Sequence, residues 1–541
     1  VKKKNNAIKE KISLKDMSSR EEQLVELTPE QLVPLPYPYD KVSEEPRMKS
    51  LTPAQKESLE SSLDGVSAIG IRKTDSVEEQ EEYVKKFISG LKKLLSKEDN
   101  WEFLQPLMLS LENCAKCQNC SEACPIYTES GRQEIYRPTY RSELLRKIIR
   151  KYVKKEKGLL SKFKGSDIEL NYKLIVRLAE LAYRCTLCRR CAQACPIGVD
   201  NGLITHEIRK LFSQEMDIAP KELHELGTVR QLKTGSSTGT SPKALHNFIS
   251  FIEEEIEDST GLKMEIPMDK KGADILLIHN AGEFISWPEN IAAFTIIFNA
   301  AGLSWTLSSQ LVGYDAVNYG VWYDDVQLSR IAIKHMEAAK ELQVKKVVIG
   351  ECGHAHKALL VVADRVLTGD LNIPRESAMP ILEDIVCNEK IKTDPSKNGF
   401  PVTLHDPCNM VRLSGIVEPQ RRILRKICPD FREMEPHGVD NYCCGGGSGF
   451  AIMGSNNFTD WRSSVAGRMK LRQILTVFQD KISPDIHKYV CAPCSNCKGQ
   501  LRDLFAYYNL KEKTGIIYGG LVDLIVNAMT DIKKPFINWE D

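Results

Sequence analysis

The sequence predicts an α+β protein in which an all-helical N-terminal module is followed by two α/β repeats. Three observations carry that expectation. Two cysteine motifs of identical spacing stand among apolar residues that recur at helical period. After Pro242, strand-like runs alternate with helical ones. Within that later part, one stretch can be laid over another as an internal repeat.

Composition narrows the classes. The 541 residues carry 74 basic and 73 acidic side chains, a formal net charge of +1, so the chain as a whole is not drawn to nucleic acid or anionic lipid. With 42% hydrophobic and 27% charged residues it is neither disordered nor fibrous, and its length suits roughly two to four domains. A spanning helix needs about 20 nearly uninterrupted apolar residues; the longest candidate, Ile291 to Ala301, is shorter and broken by Thr295 and Asn299. The start, Val1-Lys2-Lys3-Lys4-Asn5-Asn6, has no apolar signal core and no twin-arginine motif. The expectation is a cytoplasmic protein with no transmembrane segment of its own.

In such a chain, 17 clustered cysteines read as metal ligands rather than as a disulfide scaffold. Eight fall into two copies of one pattern, Cys114-x2-Cys117-x2-Cys120-x3-Cys124-Pro125 and Cys185-x2-Cys188-x2-Cys191-x3-Cys195-Pro196, which is the bacterial ferredoxin spacing. Three thiolates two residues apart wrap a tight loop around one face of a cubane, and the fourth reaches elsewhere. In two-cluster ferredoxins it serves the other cluster. One 4Fe-4S cubane is therefore expected on Cys114, Cys117, Cys120 and Cys195, and a second on Cys185, Cys188, Cys191 and Cys124. Zinc rarely takes four cysteines at this spacing.

Before these motifs, residues 1–75 are polar, carry Pro34-Leu35-Pro36-Tyr37-Pro38-Tyr39 and show little periodicity. They read as an extended arm over a neighbouring subunit or a flexible segment. Residues 76–240 form the expected helical ferredoxin domain, with Leu144, Leu145, Ile148, Ile149, Tyr152 and Val153 at helical spacing in Ser142 to Val153, and a second helix within Asp167 to Tyr183. From Arg141 to Lys164 there are 10 basic and 2 acidic residues, a docking stripe near a membrane partner or a solvated helix face.

The two repeats are expected over 241–395 and 396–541. Ala273 to His279, Lys346 to Glu351, Val402 to His405, Tyr489 to Val490 and Gly515 to Tyr518 read as buried strands. Val348 to Ala355 lines up with Val490 to Cys497, placing Cys352 over Cys494 and Ala355 over Cys497, and Asn318-Tyr319-Gly320 can be laid on Cys443-Cys444-Gly445. One half kept its thiols and the other lost most of them. The kept set is His405-Asp406-Pro407-Cys408, Cys443-Cys444-Gly445-Gly446-Gly447 and Cys491-Ala492-Pro493-Cys494-Ser495-Asn496-Cys497. Adjacent cysteines suit a distorted multi-iron site better than one tetrahedral metal.

With these residues the chain resembles the cysteine-rich CCG-domain proteins, among them the catalytic subunits of heterodisulfide reductases. The resemblance implies two CCG-type (HdrB-like) repeats, the first degenerate, and a noncubane 4Fe-4S cluster on Cys408, Cys443, Cys444, Cys494 and Cys497. Cys491 is extra, and Cys491 to Cys494 has the same spacing as Cys494 to Cys497, so which pair ligates stays open. Of the rest, Cys387 and Cys428 read as core thiols and Cys352 as a relic beside the site. His354, His356, His405 and His437 are loop candidates for proton delivery.

A ferredoxin module ahead of paired CCG halves, with Asn113 to Ile126 and Gln133-Glu134-Ile135-Tyr136-Arg137-Pro138-Thr139-Tyr140-Arg141-Ser142, is similar to the DsrK-type subunits of DsrMKJOP sulfate-reduction complexes. That likeness implies a catalytic subunit docked on an integral-membrane, haem b, quinol-oxidising subunit among other complex subunits. Its substrate would be the disulfide or trisulfide of a small DsrC-like sulfur carrier. Two other readings share the parts. One is a non-catalytic electron-transfer or anchoring subunit, as in glycerol-3-phosphate dehydrogenase complexes; the other is the HdrD-type subunit of a coenzyme heterodisulfide reductase.

The cysteine inventory makes a stoichiometric prediction: the isolated chain binds about 12 irons, from two cubanes and one four-iron noncubane cluster. Iron and sulfide analysis with low-temperature EPR checks it. A count near ~8 without a third signal would leave the CCG half without a cluster.

Overall fold

The structure, a computed structural model, describes residues 12–155, 168–311, 320 and 322–540. Asn318 and Tyr319 of the repeat comparison, and Glu156 to Lys164 of the basic stretch, lie outside the described residues. The chain divides into two compact units: residues 1–220, 322–324 and 445–470 form the first, and 221–321, 325–444 and 471–541 the second. The sequence reading expected consecutive blocks. Instead residues 221–240 cluster with the second unit, and the segment after the Cys443-Cys444 pair leaves it for the first.

The first unit is helical. Its main helices are α1 (Val77–Leu94), α2 (Pro138–Ile148), α3 (Tyr172–Ala182) and α4 (Asn201–Met216). Helix α4 packs on the other three. Ser76, Asn171 and Asp200 each accept a backbone N–H of the first turn of α1, α3 and α4, which satisfies donors that a helix start leaves open. The basic stretch is not a uniform solvated face. Arg141 and Arg146 are buried, with Arg141 Nε donating to Thr205 Oγ1 at 2.9 Å and Arg146 to the carbonyls of Leu111 and Ser110 at 2.6 and 3.1 Å.

Residues 12–75 run mostly without regular structure, yet they pack into this same unit. Met17, Leu35, Tyr39, Leu63 and Val66 are buried. The sequence reading expected an arm over a neighbour or a flexible segment; it missed the long-range polar partners that fasten these residues to their own chain. Arg184, beside Cys185, is clamped between Asp64 Oδ2 at 3.1 Å and Glu180 Oε1 at 2.7 Å, donates to Ser67 O at 2.9 Å, and lies 4.5 Å from the Trp461 ring centroid. Tyr136 donates to Asp64 Oδ2 at 2.7 Å. Arg468 Nη2 pairs with Glu45 at 2.7 Å. Thus the first segment and residues 445–470 both buttress the ground on which the second cysteine loop stands.

The second unit holds two four-stranded, wholly parallel sheets. The strands are β1 (Ile275–Ile278), β2 (Trp305–Thr306), β3 (Lys346–Ile349), β4 (Arg375–Ser377), β5 (Val402–Leu404), β6 (Phe431–Arg432), β7 (Lys488–Cys491) and β8 (Ile516–Gly519). Their orders, β2-β1-β3-β4 and β6-β5-β7-β8, are the same, so the second sheet repeats the first strand for strand. The two-residue β2 and β6 and three-residue β4 are too short to show a strand period and were not expected. Helices α5 (Pro242–Thr260), α6 (Pro288–Ala300), α7 (Asp325–Glu341), α8 (Ala378–Cys387), α9 (Glu418–Ile427), α10 (Ser495–Tyr508) and α11 (Leu521–Ala528) accompany the sheets. Contacts of α6 with α11 and α8 with α9 join the two repeats, and one continuous apolar core runs through both. Among the described residues no helix is long and apolar enough to cross a membrane.

The Arg184 clamp yields a prediction. Arg184→Ala leaves Asp64 and Glu180 buried without their cation, so the variant loses about 3–5 kcal/mol. Chemical denaturation measures the loss, and iron analysis should show depletion of the cluster on the neighbouring loop first.

Candidate functional site: three groups of thiols

The two ferredoxin-spaced loops adopt one conformation. Lys116 and Gln118 in the first, Leu187 and Arg189 in the second, are all left-handed, with φ of 57°, 69°, 50° and 59°. Alternating hand along such a turn aims successive backbone N–H groups inward, a cradle for an anionic group. Short helices Asn119–Glu122 and Arg190–Gln193 follow at matching places. One cavity is lined by Cys114, Cys117, Cys120 and Cys195, with Thr139 and Asn201. Another is lined by Cys124, Cys185, Cys188 and Cys191, with Tyr136, Arg141 and Arg184. Each hollow therefore takes three thiols from one motif and the fourth from the other.

The chemistry of these hollows suits soft iron. Burial pushes Cys120 up to about 11 and Cys124 up to about 12; thiols so placed are weak acids unless an electropositive metal takes the proton's position. Four converging sulfurs with inward N–H groups fit a 4Fe-4S group.

The stretch Gln133 to Ser142 holds both loops. Thr139 Oγ1 donates to Gln118 Oε1 at 3.0 Å in the first, while Tyr136 reaches the Arg184 clamp of the second. Arg209, fully buried on α4, was not singled out from sequence. Its guanidinium donates to Cys185 O at 2.6 Å, Ala182 O at 2.9 Å and Ser448 Oγ at 2.6 Å, and lies 4.3 Å from the Tyr183 ring centroid. Gly447 comes so close to the same loop that a Cβ there would stand 2.6 Å from Thr186 O. Only glycine permits that approach.

The third group lies in the second unit, at the carboxyl ends of β5 and β7. After Leu404 the chain gives His405-Asp406-Pro407-Cys408; after Cys491 it gives Ala492-Pro493-Cys494, and Cys494 caps α10 with Cys497 in the first turn. Cys444 and Cys497 have their sulfurs 3.5 Å apart, and His405 Nε2 is 3.2 Å from Cys497 Sγ. Ligand atoms of His405, Cys444 and Cys497 all lie within 4.8 Å of one another. Gly353 N donates to Cys494 Sγ at 3.3 Å. Cys443 is buried and Cys408 half-buried. Asp406 fixes the loop: it takes both Arg421 terminal nitrogens at 2.7 and 2.6 Å and Gly438 N at 2.7 Å. This clamp also escaped sequence reading, because Arg421 looks like any charged residue of an amphipathic helix.

The remaining sequence candidates separate. Cys491 is the last residue of β7 and lies in the apolar core with Cys428, so the pair meeting the other thiols is Cys494 and Cys497. Cys387 is half-buried at the end of α8 instead of in the core. Cys352 is buried, its sulfur accepting from Ala355 N at 3.4 Å and Asn280 Nδ2 at 3.6 Å. His356 is held between Cys352 O and Ser377 Oγ at 2.8 and 2.7 Å, while His437 pairs with Glu435 at the surface.

Comparison with known proteins agrees with this layout. A family model described as a 4Fe-4S dicluster domain matches residues 110–199, and a cysteine-rich domain model, CCG, matches 402–502. The chain is similar to heterodisulfide-reductase-like iron-sulfur proteins. The chain is 26% identical over 481 residues to Hdr-like menaquinol oxidoreductase iron-sulfur subunit 2 of Archaeoglobus fulgidus, covering 82% of this chain and 83% of that one. It is 24% identical over 465 residues to the Hdr-like menaquinol oxidoreductase iron-sulfur subunit of Archaeoglobus profundus, 77% of this chain and 79% of that one. It is 25% identical over 404 residues to a dihydromethanophenazine:CoB--CoM heterodisulfide reductase subunit of Methanosarcina acetivorans, 73% of this chain and 89% of that one. Electron transfer by 4Fe-4S centres and an oxidoreductase role follow for this heterodisulfide-reductase-like chain. The cysteine-rich model falls on the second repeat.

Two predictions arise from the shared hollows and from Arg209. Cys124→Ser perturbs the EPR signal of the cluster on Cys185, Cys188 and Cys191, and Cys195→Ser that of the cluster on Cys114, Cys117 and Cys120; the opposite pairing would refute the crossover. Arg209→Met removes a buried cation beside Cys185 and lowers that cluster's midpoint potential by on the order of 60 mV, a tenfold change in a one-electron equilibrium. Redox titration followed by EPR reads the shift.

Proposed function

We propose that the chain is a DsrK-type catalytic subunit of a membrane-bound respiratory complex, acting on the disulfide or trisulfide of a small DsrC-like sulfur carrier. On this reading residues 76–240 carry two cubanes, on Cys114, Cys117, Cys120 and Cys195 and on Cys185, Cys188, Cys191 and Cys124. Cys408, Cys443, Cys444, Cys494 and Cys497 hold a noncubane cluster in the second CCG half. When bound, these groups supply one-electron transfer and, at the third, iron that takes substrate sulfur. The complex sits on the cytoplasmic side of the membrane through a haem b subunit that oxidises quinol, and the same parts run in reverse where potentials favour it. Relatives named as menaquinol oxidoreductase subunits, matching 82% and 77% of the chain, support the quinol side.

The observation that carries the reading is the meeting of Cys444 and Cys497, 3.5 Å apart, with His405 at 3.2 Å. Three buried groups meet beyond the carboxyl ends of β5 and β7, the place where parallel sheets bind ligands. The Asp406–Arg421 lock holds the loop between His405 and Cys408, and His405 Nε2 stands within hydrogen-bonding distance of Cys497 Sγ. Disulfide reduction takes two electrons while each ferredoxin-type centre passes one, so a site that holds both sulfur and an electron stabilises the halfway state.

The second reading, the HdrD-type subunit of a coenzyme heterodisulfide reductase, is favoured by the match to 89% of the Methanosarcina relative. The two differ in substrate, a carrier protein against small thiol coenzymes, and parallel assays separate them. For either, Cys443→Ser and Cys444→Ser abolish S–S turnover while dithionite still reduces both cubanes in EPR. Normal turnover in the double variant would reduce the chain to an electron conduit.

A further inference from the structure

Cleaving a disulfide consumes protons as well as electrons, and the thiol group of the second unit lies against a second buried assembly made of carboxylates. Glu351 stands two residues beyond the end of β3 and is fully buried. Its Oε1 accepts the backbone N–H groups of Leu521 and Val522 at 2.7 and 3.1 Å, the first turn of α11, and its Oε2 accepts Asn290 Nδ2 at 2.9 Å. Asp523 stands next to it. A Cβ at Gly520 would lie 2.4 Å from Glu351 Oε2 and 3.2 Å from Asp523 Oδ2, so one small group spans both carboxylates. Asp523 Oδ2 also accepts Gly520 N at 2.7 Å and Tyr489 OH at 3.2 Å.

Two further features give this assembly a direction. Asp523 lines a cavity of about 510 Å³ with Glu289, Trp287, Arg502 and Tyr518, and Glu289 is exposed there. On the inner side, the backbone of 351–353 runs alongside that of 494–495: Ser495 N donates to Glu351 O at 2.9 Å and Gly353 N to Cys494 Sγ at 3.3 Å. Lys498, fully buried one residue beyond Cys497, lies 5.3 Å over the Trp287 ring of the cavity wall. Lys498 Nζ, Asp523 Oδ1, Glu283 Oε1 and Asn290 Oδ1 are buried atoms with no hydrogen-bond partner among the described residues. Buried polar atoms need partners, and water from the cavity would supply them.

We propose that Asp523 and Glu351, bridged by water from this cavity, form a proton line to the thiol loop of Cys494 and Cys497, used when a disulfide is cleaved there. The proposal rests on the reading of that loop as the S–S site. The step balances: the S–S bond breaks, two electrons arrive through the ferredoxin-type centres, two protons enter from solvent, and two S–H bonds form. Burial pushes Glu351 up to about 8, against the attraction of Lys498 and with the repulsion of Asp523 and Glu283. It therefore carries its proton at neutral pH and loses it above about pH 8. Lys498 on α10, Tyr489 on β7 and Cys491 also act on it, Glu289 on α6 acts on Asp523, and His279 pairs with Glu283 beside it.

The test compares the unaltered chain with Glu351→Gln, Asp523→Asn and the exposed cavity-wall control Glu512→Gln. Turnover of the oxidised carrier falls about tenfold or more in the first two, the decline above pH 8 seen in the unaltered chain disappears in Glu351→Gln, and Glu512→Gln behaves normally. Dithionite reduction of the cubanes is unchanged in all. Infrared spectroscopy supplies the readout that does not need turnover: a protonated carboxyl band that titrates with bulk pH, exchanges in heavy water and is missing from Glu351→Gln. Normal turnover in both variants, or no such band, overturns the proton line. If the unaltered chain cleaves no S–S bond, the functional reading falls, and the infrared band alone then decides whether Glu351 is a proton carrier.

Discussion

Neither ferredoxin-spaced loop can complete its own hollow. Each supplies three thiols and borrows the fourth from the other, Cys195 in one case and Cys124 in the other. This mutual dependence explains why so much of the first unit is spent on holding two loops in register. Helix α4 packs against α1, α2 and α3, Thr139 ties down one loop, and Arg184 ties the other to residues more than a hundred positions earlier. A burial-only argument would not predict an arginine here. A buried charge is costly unless it is paired, and Asp64, Glu180 and the Ser67 carbonyl pair it.

The second unit sets two repeats of one topology side by side with different loop chemistry. The two sheets keep the same strand order, and the loops after β1 and β5 and after β3 and β7 occupy equivalent places. In the second repeat those loops carry His405, Cys494 and Cys497. In the first the equivalent positions are His279, Cys352 and Ala355, and the surroundings are polar: Asn280, Glu283, Asn290 and Glu351 are all buried. The first repeat carries buried polar groups where the second carries sulfur, and they lie beside the second repeat's thiols.

Sequence reading reached furthest where the chemistry is local. The cysteine spacings, the strands β1, β3, β5, β7 and β8 and the equivalence of Cys352 with Cys494 can all be read from short windows. It failed where the deciding partner is far away in the chain. Nothing near Asp64 announces Arg184, nothing near Asp406 announces Arg421, and the return of residues 445–470 to the first unit depends on contacts with loops some 250 residues earlier. Cys491 shows the same limit: its CxxC spacing is as good as that of Cys494, and only its place inside β7, where side chains alternate between faces, separates the two. The short β2, β4 and β6 offer no period to read.

Sulfur chemistry, on this reading, occurs at the thiol group between β5 and β7 and at neither ferredoxin-type hollow. EPR of the purified, cluster-loaded protein, mixed with an oxidised carrier whose sulfur is enriched in a magnetic isotope, decides the matter. Hyperfine broadening should be confined to a third signal, distinct from those of the two cubanes and lost when Cys444 is replaced. Broadening of a cubane signal, or turnover with no broadening at all, would contradict it.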